Sequence, residues 1–169
     1  RTPSGEMRSD KAKLFDPHSI SVNDFLVVNQ FIVVNGEYRR RPDLTVFLNG
    51  LPVAVIELKD PTNEDATLWT AYEQLQDNYK PAIPALFAYN EILIISDGDQ
   101  SRVGSLTADC DRFTPWRSIE DDRFPGEPTL ENLITGLFRQ DVLLDYLAHC
   151  IVFEDEENTG RIIKKIGGY

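Results

Sequence analysis

In the segment YRRRPDLTVFLNGLPVAVIELK, residues 38–59, the dipeptide Asn49-Gly50 separates two apolar runs. Asn and Gly both tolerate positive φ, and between apolar runs this pair is a strong short-range signal for a β-hairpin. The chain is therefore expected to fold around a hairpin. In its second arm Val53, Ala54, Val55 and Ile56 are continuously apolar instead of alternating, the pattern of a strand covered on both faces. That arm is expected to lie centrally in a sheet.

The flanking segments supply the rest of a layered domain. Residues 24–34 (DFLVVNQFIVV) are rich in β-branched and aromatic side chains and are closed by Asn35-Gly36, which predicts one strand or two short ones. From Asn63 the period changes. Leu68, Ala71, Tyr72, Leu75 and Tyr79 share a helical face up to Lys80-Pro81, predicting one amphipathic helix. Residues 84–89 and 91–96 return to strand character, and 101–106 follow the turn Asp97-Gly98-Asp99 as a further strand. After a Pro- and acid-rich loop at 120–128, Thr129 is placed to cap a helix carrying Leu130, Leu133, Ile134, Leu137 and Phe138. A second helix is expected over 141–149 and a terminal strand over 150–153. The run EDEE at 154–157, followed by RIIKK at 161–165, has the character of a solvated connector. The expectation is an α/β domain over 1–153, a mixed sheet with helices on both faces, and a connector over 154–169.

Composition limits the functions such a domain can have. A length of 169 residues with 41% hydrophobic content suits one core. The 28 acidic residues against 17 basic ones give a net charge of -11, which opposes unspecific adhesion to a polyanion. Contact with nucleic acid must therefore be local, metal-assisted or borrowed from another part. Cys110 and Cys150 form neither a metal-ligand spacing nor a disulfide framework, which points to a reducing, cytoplasmic setting. No apolar run approaches the roughly 20 residues of a membrane helix, and residues 1–13 lack a signal peptide's apolar core. A chain opening at Arg1 and stopping at Tyr169 after a basic apolar stretch reads as a fragment of something longer.

The chemistry is concentrated on the hairpin. Pro42-Asp43, thirteen intervening residues, and Glu57-Leu58-Lys59 put a carboxylate at the start of one strand and a carboxylate plus an amine, two residues apart, on its neighbour. Residues two apart on a strand point the same way, so Glu57 and Lys59 share a face. Phosphodiester hydrolysis needs a hard cation with oxygen ligands, and an amine beside it orients water or offsets charge developing on the phosphate. Asp43 and Glu57 offer the ligands, and Lys59 the amine. The site makes a demand on register. A simple two-residue turn at Asn49-Gly50 pairs Asp43 with Ile56 and sends Glu57 to the other side. A three-residue loop, Leu48-Asn49-Gly50, sets Asp43 opposite Val55 and diagonal to Glu57 on one face. The three-residue loop is expected, and a two-residue turn without a compensating bulge counts against the site.

The stretch RRRPDLTVFLNGLPVAVIELKDPTNEDATLWTAYEQLQDNYKPAIPALFAYNEILIISDG resembles the nuclease domain of type I restriction enzyme R (HsdR) subunits, within the PD-(D/E)XK nuclease superfamily. The likeness extends upstream through Asn23-Asp24-Phe25 and Val28-Asn29-Gln30-Phe31. Downstream it continues through residues 103–108, Arg112-Phe113 and Pro115-Trp116, and so covers most of the chain. The resemblance implies a restriction-endonuclease-like mixed β-sheet flanked by helices. It implies Mg²⁺-dependent cleavage of double-stranded DNA, with Mn²⁺ able to substitute. It assigns metal binding to Asp43, Glu57 and the backbone carbonyl of Leu58, and the catalytic amine to Lys59. It further implies a downstream ATP-driven motor and association with modification and specificity subunits. No Gly-x4-Gly-Lys-Ser/Thr loop occurs in this sequence, so ATP belongs only to the full-length subunit. Relatives carry a Gln and a Tyr on the following helix with three residues between them. Here Gln74 and Tyr79 have four between them, which sets them about 140° apart on a regular α-helix in place of about 40°. Either the helix loosens before Tyr79 or the pair works differently.

Other readings stand beside these. By spacing alone Asp43, Glu57 and Lys59 also fit a cross-strand salt bridge on a solvated face. Charges in a strand covered on both faces are costly unless paired or metal-bound, which favours the site. Arg39, Arg40 and Arg41 fit equally a phosphate-steering element and a solvated strand edge. His18 and His149 are isolated and receive no role. Trp69 and Tyr72, at helical spacing with Leu68 and Leu75, are expected in the core. The alternative functions are a recombination or repair nuclease and a non-catalytic docking domain.

Overall fold

A computed structural model describes residues 13–63, 65–116, 129–156 and 161–167. The Pro- and acid-rich loop expected at 120–128 lies outside the described residues. Strands β1 (Phe25–Asn29), β4 (Leu44–Leu48), β5 (Leu51–Leu58), β6 (Ile92–Ser96) and β7 (Ser101–Ser105) form a five-stranded sheet in the order β1-β4-β5-β6-β7. Only β5 and β6 run parallel; the other neighbours are antiparallel. The second arm of the hairpin is thus the central strand, as its unbroken apolar run requires. Its alternate residues enter two cores. Ala54 and Ile56 pack with Leu133, Leu137, Leu143 and Leu144 of α3 (Leu130–Leu137) and α4 (Gln140–His149). Val55 packs on the other face with Ala71 and Leu75. Helices therefore cover both faces, and the fold is α/β with a mixed sheet, of the restriction-endonuclease-like kind.

Several elements depart from their expected form. The stretch from 24 to 34 gives two strands, but β2 (Val33–Asn35) leaves the main sheet and pairs through the Gly36 turn with β3 (Tyr38–Arg40). The segment 38–59 accordingly holds three strands in place of two. The Asn49-Gly50 turn has two residues, not three: Leu48 pairs with Leu51, and both turn residues have positive φ, the primed geometry that matches strand twist. Asn49 is held there from three sides. Its side chain donates to the Leu14 carbonyl and to Asn23 Oδ1, and it accepts from the Asp24 N–H.

The helix starts at Leu68, five residues later than the change of period at Asn63. Thr67 caps it through a reciprocal bond pattern with Thr70. Nor does it stop at Lys80-Pro81. It runs as α1 (Leu68–Glu73), a π-helical segment (Gln74–Tyr79) and α2 (Lys80–Ala82). Pro81 is the physical cause. In regular α winding its ring clashes with the carbonyl four residues back, at Asp77, and the wider π turn relieves this while Lys80 N–H bonds the Leu75 carbonyl.

Residues 84–87 form a 3-10 turn where a strand was expected. Pro84 fixes φ in the helical range, and the turn inserts Leu86 and Phe87 into the core. The stretch expected as a solvated connector is instead a hairpin of β8 (Ile151–Glu156) and β9 (Arg161–Ile166). Lys164 anchors it, donating to the Asn90 carbonyl and Glu91 Oε1 at 2.9 Å each. Ser105 and Thr107 both donate to the Lys164 carbonyl. Trp69 is 53% exposed, not core, and stacks on the half-buried Tyr72. Among the described residues no helix is long and apolar enough to cross a membrane.

Candidate active site

The site forms where β4 and β5 open beyond their last ladder pair. One residue of β5, Val53, has no partner on β4, because Val46 pairs with Ala54 and Phe47 with Pro52. This bulge shifts the register by one. Leu44 lies opposite Ile56, and continuing the ladder one step sets Asp43 opposite Glu57. Directly opposed residues share a face. The two-residue turn alone sends the carboxylates to opposite sides, and the bulge at Val53 reunites them.

Asp43 is held by two bonds to its carboxylate. Its Oδ1 accepts from Gln30 Nε2 at 2.8 Å and its Oδ2 from the Leu58 N–H at 2.9 Å. The Gln30 N–H also donates to the Asp43 carbonyl at 2.8 Å. Gln30 adopts φ +53°, a conformation that L residues disfavour and that persists where the surroundings impose it. Spacing in the sequence gave no sign of Gln30's role; only its place in the stretch of family likeness marked it. Leu58 joins the site through its backbone. An extended residue's N–H and C=O leave the strand on the same edge, so its carbonyl faces the Asp43 side.

Glu57 and Lys59 share a face as expected. Lys59 Nζ donates to Glu57 Oε1 at 3.0 Å and to Gln74 Oε1 at 2.5 Å. The Glu57 side chain is only 3% exposed, and its second oxygen, Oε2, is buried without a hydrogen-bond partner. Burial pushes the Glu57 carboxyl up to about 7; the Lys59 ammonium opposes the rise, the Asp43 charge adds to it, and the neighbouring Tyr79 hydroxyl opposes it more weakly. A half-satisfied buried carboxylate is costly. A cation at Oε2 removes that cost.

The π segment resolves the spacing of the helical pair. In i→i+5 winding, residues five apart stack. Gln74 Nε2 accordingly donates to the Tyr79 hydroxyl at 2.6 Å, and the hydroxyl donates onward to the Arg41 carbonyl at 3.4 Å. Asn78, which regular winding puts in that phase, instead accepts from Arg40 Nε. Tyr79 is pushed up to about 12 by burial first and by the Glu57 charge second, so its phenol keeps its proton. One chain of contacts thus runs from Glu57 through Lys59 and Gln74 to Tyr79.

The donor set is an oxygen set. Among the described residues no group of three or more His, Cys, Asp or Glu side chains assembles, so a cation held by the two carboxylates would draw its other ligands from backbone carbonyls or water. Two carboxylates and a strand carbonyl suit a small hard divalent cation.

Comparison with known proteins adds an independent line. A family model described as "Type I restriction enzyme R protein N terminus" matches residues 1–112. The type I restriction enzyme HindI endonuclease subunit of Haemophilus influenzae is 40% identical over 99% of this chain and 16% of its own length. A putative type I restriction enzyme MjaIXP endonuclease subunit of Methanocaldococcus jannaschii is 35% identical over 91% of this chain and 17% of its own length. The chain therefore spans about a sixth of the length of these curated relatives.

Proposed function

The chain belongs to the family of the type I restriction enzyme R protein N terminus, and from that membership we propose that it is the DNA-cleaving endonuclease domain of an R subunit in a type I restriction-modification system. The observation that carries this reading is the pair of carboxylates itself: the β4–β5 register sets Asp43 opposite the buried Glu57, with Lys59 bonded to Glu57 on the same face. The Glu91 carboxylate, paired with Lys164, also leaves one oxygen without a partner; what sets Glu57 apart is the second carboxylate, Asp43, that the β4–β5 register brings to its face.

Asp43, Glu57 and the Leu58 carbonyl hold the divalent cation, Mg²⁺ with Mn²⁺ able to substitute. When bound, the cation offsets phosphate charge and acidifies a water. The remaining roles belong to the chain's own side chains. Lys59, fixed between Glu57 Oε1 and Gln74 Oε1, orients the attacking water and offsets charge developing on the phosphate. Gln74 fixes the direction of the ammonium, and Tyr79 fixes Gln74. Asp43 is kept in place by Gln30 and the Leu58 N–H.

The substrate in this reading is double-stranded DNA, cut without sequence preference by this domain. Target recognition is assigned to specificity and modification subunits in the cytoplasm, and ATP-driven translocation to the remaining part of the full-length subunit. The boundary expected at residue 153 falls inside β8, so the domain is taken to include the β8–β9 hairpin, with the motor beyond it.

The test is cleavage of supercoiled plasmid by the full-length subunit with its partners, ATP and Mg²⁺. Glu57→Ala and Lys59→Ala are expected to keep ATPase activity and to lose cleavage by a factor of roughly 10² or more. Variants that cut as wild type does place the nuclease centre elsewhere.

A further inference from the structure

Residues 39–41 are the only three consecutive basic residues in a chain of net charge -11. Resting on the nuclease reading above, we propose that the β2–β3 hairpin is a phosphate clamp for duplex DNA, with Arg39 and Arg41 contacting the backbone and Arg40 fixing the hairpin to the site. Three contacts tie the hairpin to the helix that carries Gln74 and Tyr79. Asn35 Nδ2 donates to the Ala82 carbonyl at 3.0 Å, Arg40 Nε donates to Asn78 Oδ1, and the Tyr79 hydroxyl donates to the Arg41 carbonyl. The hairpin is a two-stranded ribbon outside the main sheet, so these contacts set its position relative to the carboxylates.

The three arginines divide the work by strand geometry. Arg40 is half-buried; besides Asn78 it donates to the Arg39 carbonyl and lies over the Tyr38 ring. Arg39, one residue away on the same strand, points to the opposite face. Arg39 and Arg41 are exposed, and among the described residues neither guanidinium makes a hydrogen bond or an ion pair. Arg41 also stands two residues before Asp43, which the chain's reach places within about 7 Å between Cα atoms. An unengaged guanidinium two residues from Asp43, with a second on the hairpin that leads to it, suits a polyanion that must approach the carboxylate pair. The fork geometry of arginine suits phosphate oxygens. Acidic protein surfaces share the charge but not the strong salt law of a polyelectrolyte.

The experiment compares the full-length subunit, assembled with its partners, as wild type, Arg39→Ala/Arg41→Ala, Arg39→Lys/Arg41→Lys and Glu57→Ala. Plasmid cleavage at subsaturating DNA and ATPase activity are followed from about 50 mM salt upward. The double alanine variant is expected to keep ATPase activity and to cut roughly tenfold or more slowly at low salt. Its rate should converge on wild type as salt rises, with the salt exponent reduced by about two. The double lysine variant should recover most of the rate. Equal cleavage by the double alanine variant at every salt, a loss of the same size at every salt, or loss of subunit assembly in place of cleavage overturns the clamp. In those cases wild type still cuts and Glu57→Ala does not. If wild type and Glu57→Ala behave alike, the nuclease reading fails and the clamp falls with it.

Discussion

Gln74 and Tyr79, five residues apart, meet at 2.6 Å between Nε2 and the phenolic oxygen because the helix between them is wound as a π turn. The contact leaves Gln74 Oε1 aimed at Lys59 Nζ. Gln74→Ala removes the second acceptor of the ammonium and leaves it bonded to Glu57 alone. Supporting contacts of this kind typically cost 10- to 100-fold when removed, and a loss in that range is expected in plasmid cleavage. Far-UV circular dichroism should be unchanged, because Gln74 is only half-buried.

The pH dependence of stability follows from Glu57. Its carboxyl is raised from 4.5 to about 7, so between those values the folded chain keeps a proton that the unfolded chain has released. Stability from this group therefore falls as pH rises through that window and levels off above about 7. A shift of this size corresponds to roughly 3 kcal/mol. In metal-free buffer, Glu57→Gln should gain on wild type between pH 4.5 and pH 8. A Tm difference moving several degrees in favour of the variant is expected across that range. A difference independent of pH contradicts the burial argument.

Gln30 offers a separate handle on Asp43. Its side chain donates to Asp43 Oδ1, and its backbone carries the strain of φ +53°. Gln30→Gly removes the side-chain donor and relieves the strain at once. Stability should change by about 1 kcal/mol or less by urea unfolding. Divalent metal affinity should fall roughly tenfold or more by calorimetry. Unchanged affinity means that Asp43 needs no such support.

Much of this was legible in the sequence, and the failures have identifiable causes. The unbroken run from Val53 to Ile56 placed β5 at the centre, and Glu57 and Lys59 share a face because two residues separate them. The demand that Asp43 and Glu57 lie on one face was met, but by other means. A three-residue loop was expected, whereas Asn49-Gly50 kept its intrinsic two-residue turn and Val53 supplied the missing step. A bulge at valine leaves no mark in composition, since no glycine is needed there. The Gln74 and Tyr79 spacing left open a loosened helix or a pair that works differently, and the π segment shows the first; Pro81, read from the sequence as the helix's end, lies just after that segment. Pro84 similarly outweighed the apolar character of its neighbours. The pairing of residues 151–156 with 161–166 was hidden by their charges, because a strand lying partly in solvent has the composition of a connector.

The central claim is that Asp43 and Glu57 together hold a divalent cation at the orphaned Glu57 oxygen, and titration of Mn²⁺ into the full-length subunit followed by electron paramagnetic resonance tests it most directly. Wild type is expected to bind Mn²⁺, with Mg²⁺ in competition, while Asp43→Asn and Glu57→Gln each lose that binding and Lys59→Ala retains it. Equal Mn²⁺ binding by wild type and both carboxylate variants contradicts the account and leaves Glu57 as a buried partner of Lys59 alone.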